Sequence, residues 1–80
     1  MKLPQLICPD GASAFVLRKQ LGLNQSKFWG RVGVAQSGGC RYEAGRGMPV
    51  QVAWLLHMAY GTDKEANALL QGLRSNESAA

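Results

Sequence analysis

Eighty residues, 46% of them hydrophobic and with a net charge of +4, suffice for one small domain and leave little room for both a core and a catalytic cleft. No apolar run approaches the roughly 18 residues that would cross a membrane. Two cysteines, Cys8 and Cys40, do not read as a disulfide framework where no export signal is expected, nor, without close-spaced Cys or His partners, as a zinc site, and no cofactor is expected.

The start, Met1 to Pro9, holds two prolines and no helical period, and is too short and too broken for a signal peptide. It reads as an extended or mobile arm over 1–10, and a cytoplasmic protein is expected. Asp10 suits the cap of a first helix from about Gly11 to Leu21, ended by Gly22. Ala14, Leu17 and Leu21 line its apolar face, with Arg18 and Lys19 on the flank. A second helix follows Asn24, from Gln25 to Gly33, with Phe28, Trp29 and Val32 on one side. Val34 and Ala35 make a turn into a third helix over about Gln36 to Ala44, stopped by Gly45. Pro49 opens a fourth helix to Tyr60, with Val52, Leu55, Leu56 and Ala59 as core candidates. Its His57 reads as a structural histidine. Thr62-Asp63-Lys64-Glu65 fits a capping box for a fifth helix to about Leu73, with Ala66, Leu69, Leu70 and Leu73 at helical spacing. Ser75 to Ala80 reads as a disordered tail after a domain over 11–74. No stretch alternates like a strand, so the expected class is all-α.

Charge is unevenly placed. Between Gly11 and Thr62 stand Arg18, Lys19, Lys27, Arg31, Arg41 and Arg46 against the single acid Glu43, a net of +5. A basic middle suits a polyanion partner, although a solvated basic surface has the same composition. Gln25 to Arg46 holds the candidate for function: two short helices hinged at Gly33, where the tight turn needs a positive φ. Apolar Phe28, Val32, Val34 and Tyr42 would fix them at a steep angle. That geometry lets a second helix enter a major groove while the first crosses the backbone.

Leu21-Gly22-Leu23-Asn24-Gln25, Phe28, Val32-Gly33-Val34, Gln36-Ser37, Arg41 to Arg46 and Met48-Pro49 together resemble the Cro and phage-repressor DNA-binding family of the xenobiotic-response-element (XRE) type. The resemblance covers about residues 11 to 61. It implies a compact five-helix, lambda-repressor-like domain, usually a homodimer, without enzymatic activity or cofactor, reading double-stranded DNA through its third helix. Carried across, it places base readout on Gln36, Ser37, Cys40 and Arg41. A Gln suits adenine, and Arg41 suits guanine or a phosphate. Phosphate contacts fall to Gln25, Lys27, Arg46 and the backbone of Gly47. Arg18 and Glu43 take the positions of a structural ion pair between the first and third helices, and Tyr42 reads as apolar filling. Trp54, Leu69, Leu70 and Leu73 are the expected dimer interface.

Two departures from the family pattern complement each other. Trp29 stands where a small residue is usual, and Gly39 where a branched apolar residue is usual. The expectation is a packing swap, with the indole filling the space over Gly38 and Gly39; the alternative is a frayed third helix. The functional expectation is a sequence-specific transcriptional regulator, a repressor on a palindromic operator. The rival is an antitoxin-like module whose main partner is a protein. Cys40 beside Arg41 reads as a small groove residue, with redox sensing as the other reading.

Overall fold

Local signals decide where each helix starts and stops. The computed structural model describes residues 3–75; of the tail expected over 75–80, Ser75 is the C-cap of the last helix and 76–80 lie outside the described residues. Asp10 caps α1 (Gly11–Leu21) by accepting from the Ser13 N–H at 2.9 Å, and the Ser13 hydroxyl accepts from the Asp10 N–H. Asn24 caps α2 (Gln25–Gly30) through the Lys27 N–H at 2.8 Å. Thr62 and Glu65 form the reciprocal capping box of α5 (Asp63–Arg74). Between them lie α3 (Gln36–Glu43) and α4 (Val50–Tyr60), which makes five helices and no strand among the described residues.

α2 stops three residues before the expected Gly33. Gly33, at φ +77°, closes a paired carbonyl cap: its N–H bonds to the Gly30 carbonyl, and the Val34 N–H reaches back to Trp29. Gly22 and Gly45 close α1 and α3 by the same two-bond pattern. Each helix thus ends abruptly, and the chain can turn steeply from α2 into α3. Pro49 stands one position outside α4, as its N-cap.

α2 and α1 pack on α3, and α4 packs on α5. Their junction is a core of Cys8, Ala14, Phe28, Trp29 and Leu56. Phe28 stacks on Tyr60 at 4.6 Å between ring centroids, and the Tyr60 hydroxyl donates to the Phe28 carbonyl. Sequence periodicity misjudged two positions: Leu21 and Leu55 are each 48% exposed rather than core. Leu69, expected in the dimer interface, is fully buried within this chain. Leu55 is exposed because α4 is apolar over most of its circumference, and its neighbours cover only the side carrying Ala53, Leu56 and His57.

The segment before α1 has no regular secondary structure and is anchored to the helices. Leu3 and Pro4 lie over Gly72, where a Cβ would stand 2.7 Å from Leu3 Cδ2. The Ile7 N–H donates to His57 Nδ1 at 3.1 Å, while His57 Nε2 donates to the Glu65 carbonyl at 2.9 Å. One neutral tautomer satisfies both bonds and ties the N-terminal segment, α4 and α5 together. Gly72 and His57 hold this segment down together with Cys8, which is buried in the core.

Cys8 is buried, and burial, assisted by the charge of Asp10, pushes its thiol up to about 11. Cys40 is exposed. Native protein treated with a disulfide reagent at neutral pH is expected to release one equivalent promptly and the second only on unfolding. Cys40→Ser should abolish the prompt equivalent; two prompt equivalents would mean that the N-terminal segment opens freely.

Candidate nucleic-acid interface

The lone acid of the basic middle organises the helix-turn-helix. Glu43, at the last position of α3, receives both Arg18 Nε and an Arg18 terminal nitrogen at 2.8 Å, as a two-pronged ion pair. Trp29 Nε1 donates to the same carboxylate at 2.8 Å and Gln25 Nε2 at 3.3 Å. The remaining Arg18 nitrogen donates to the Leu23 carbonyl in the connection between α1 and α2. α1, α2 and α3 are thus fastened through one side chain. Burial alone would raise the Glu43 carboxyl, but bonds from Arg18, Trp29 and Gln25, with the Arg18 charge, hold it below the usual carboxylate range.

The sequence-level pairing of Arg18 with Glu43 left out the Trp29 and Gln25 donors. An available signal was the indole itself: a buried Trp carries one N–H that must find an acceptor, and Glu43 is the lone carboxylate between Gly11 and Thr62.

The inward side of α3 is set by contact. A Cβ at Gly39 would overlap the Trp29 indole at Cδ1 and Cγ, so the ring lies directly against the Gly39 backbone. Gly38 is not part of that contact. A Cβ there would meet Val34 Cγ1 at 3.4 Å, so the expected swap involves Gly39 alone. α3 is a continuous helix across both glycines rather than a frayed one. The Trp29 ring is edge-on to Phe28 and tilted against Tyr42, which is half-buried as filling.

With that side fixed, the other side of α3 is open. Gln36, Ser37, Cys40 and Arg41 are all exposed, as are Lys27 at the front of α2 and Arg46 and Gly47 after α3. Gln25 is half-buried and turned toward Glu43. The Ser26 hydroxyl donates to Gln36 Oε1 at 3.4 Å, which leaves that amide a second acceptor lone pair and both N–H groups. Ala35, the N-cap of α3, provides no side-chain cap, unlike the residues before α1, α2 and α5. The first-turn N–H groups of α3 and the positive end of its dipole therefore face outward without a local carboxylate.

No helix among the described residues is long and apolar enough to cross a membrane, and these residues contain no cluster of His, Cys, Asp and Glu suited to a metal.

Comparison with known proteins agrees with this geometry at the family level. No curated protein and no solved structure matches the chain. The family model of the RsaL-like helix-turn-helix domain matches residues 16–59, more than half of the chain, from the middle of α1 to the last turn of α4. With the matched stretch containing the whole of α2, the glycine turn and the outward-facing α3, the chain belongs to the RsaL-like helix-turn-helix family and carries a DNA-binding helix-turn-helix domain.

Proposed function

We propose that this protein is a transcriptional repressor that binds a palindromic operator as a homodimer and inserts α3 into the major groove, in the manner of the Cro and phage-repressor proteins. The observation that carries the reading is the division of α3 into two sides. One is locked by Trp29 and Glu43, and the other presents Gln36, Ser37 and Cys40 without internal competitors beyond the single Ser26 contact. Positions at the front of α3 reach deepest and set base preference, whereas Gln25, Lys27, Arg46 and the Gly47 backbone flank the groove and set affinity. The +5 segment makes that affinity strongly salt-dependent.

The test is a duplex selected from a random pool, compared with its scrambled sequence. Gln36→Ala is expected to lose roughly 1–3 kcal/mol on the selected duplex and little on the scrambled one. An equal loss on both would remove Gln36 from base reading.

Two half-sites about 34 Å apart require a two-fold dimer. With Leu69 inside the core, the interface falls to Trp54, Leu70 and Leu73, which are half-buried, together with exposed Leu55 and Met58. Burial of Leu69 also shrinks the leucine stripe on which a protein-binding, antitoxin-like role would rest. Leu70→Asp should give a monomer by light scattering at micromolar concentration, and an unchanged dimer would place the interface elsewhere.

A further inference from the structure

Arg41 and Arg46 converge on one cleft. It lies between the second half of α3 and the loop to α4, has a volume of about 380 Å³, and is lined by Gly38, Arg41, Tyr42, Arg46, Gly47 and Pro49. Both guanidinium groups are exposed, and neither forms an ion pair among the described residues. Glu43, the lone acid in this part of the sequence, is committed to Arg18, Trp29 and Gln25. Two like charges sharing a cleft without a counter-charge repel each other, and a full negative charge between them removes that cost. The partial charges on a base edge would not. The cleft is also open. Gly38 and Gly47 contribute no side chain to it, and the Gly47 N–H makes no hydrogen bond among the described residues.

We infer that Arg41 and Arg46 together grip one phosphodiester of the DNA backbone, and that Arg41 is a phosphate ligand rather than a base reader. Base preference is then confined to Gln36, Ser37 and Cys40. This assignment rests on the DNA-binding reading above and refines it. The two guanidinium groups supply planar forks to one tetrahedral anion from two sides, with the Gly47 N–H as a further donor.

Three variants, Arg41→Ala, Arg41→Lys and Arg46→Ala, separate the possibilities on selected and scrambled duplexes over a range of salt. The expected result for Arg41→Ala is a loss on the order of tenfold on both duplexes. Its salt slope should fall by about one, matching Arg46→Ala. Arg41→Lys keeps the charge and should keep both the slope and the ratio between the duplexes. A guanine reader behaves oppositely: Arg41→Ala and Arg41→Lys would both lose affinity for the selected duplex alone, and that outcome would overturn the assignment while leaving DNA binding intact. A wild-type protein that binds neither duplex would overturn the DNA reading itself. Inorganic phosphate titrated without DNA at constant ionic strength separates the two sources of the anion. No saturable binding at millimolar concentration is expected; saturable binding lost in Arg41→Ala, with duplex affinity unchanged, would make the cleft a free-anion site and overturn the clamp.

Discussion

Glu43→Gln is expected to destabilise the protein by about 3–5 kcal/mol, because it leaves the nearly buried Arg18 charge without its carboxylate. An 80-residue domain has roughly 4–12 kcal/mol in total, so this change removes between about a quarter of the stability and all of it. The amide oxygen accepts two hydrogen bonds where the carboxylate accepts four, and its NH₂ faces the two donors on the oxygen it replaces, one from Arg18 and one from Gln25 or Trp29. Denaturant melts measure the loss, and a change below about 1 kcal/mol would show that the ion pair is a solvated contact.

The same carboxylate shapes the pH dependence. Its folded pKa lies below its unfolded value near 4.3, so its contribution is complete above that value and lost as pH falls through the folded one. Asp10, held by the Ser13 N–H and hydroxyl, and Glu65, held by the Thr62 N–H, shift in the same direction. For these three groups stability should be level from pH 7 to 5 and fall below roughly pH 4. Glu43→Gln should retain the Asp10 and Glu65 part of that fall and show a shallower acid limb. An identical limb would mean that Glu43 titrates alike in both states.

Trp29→Ala is expected to cost about 3–5 kcal/mol. It empties the site of the largest fully buried side chain and deprives one Glu43 oxygen of a donor. Gly39→Ala approaches the same site from the other side. Its methyl would stand inside the indole, which cannot swing away while it is bonded to Glu43 and wedged between Phe28 and Tyr42. Gly38→Ala, one residue earlier, meets only Val34 at 3.4 Å and should stabilise α3 by up to about 1 kcal/mol through helix propensity. Two neighbouring glycines therefore respond with opposite signs. The double variant Trp29→Ala with Gly39→Ile refills the volume and should recover part of the single loss, though not the hydrogen bond. Strict additivity of those two changes, or a neutral Gly39→Ala, would contradict the packing of Trp29 on Gly39.

Helix starts and stops are legible in the sequence because they are local. Asp10, Asn24, Thr62, Gly22 and Gly45 act within four residues of the backbone groups they satisfy. Volume also leaves a trace: a Trp in place of a small residue and a glycine in place of a large one mark a shared space, although Gly38 and Gly39 could not be told apart without knowing which faces Val34. What the sequence conceals is which neighbour covers an apolar face. Leu55 and Leu69 both sit at helical spacing, yet one faces solvent and the other the core. Periodicity shows that a side is apolar and does not show whether another element lies on it. The Glu43 hub is legible only in part, through the Arg18 pairing that the family resemblance implies and the buried indole N–H that needs an acceptor. Its donors at 18, 25 and 29 form no local pattern and meet only when α1, α2 and α3 pack.

The central claim is that the exposed side of α3 enters the groove of duplex DNA. Amide-shift mapping by NMR during titration with a selected duplex tests it residue by residue. The predicted perturbations centre on Gln36 to Arg41, with flanking changes at Gln25 to Lys27 and at Arg46 and Gly47, and they diminish as salt is raised. A map whose largest shifts fall on α4 and α5 while Gln36 to Arg41 stay unmoved would contradict it.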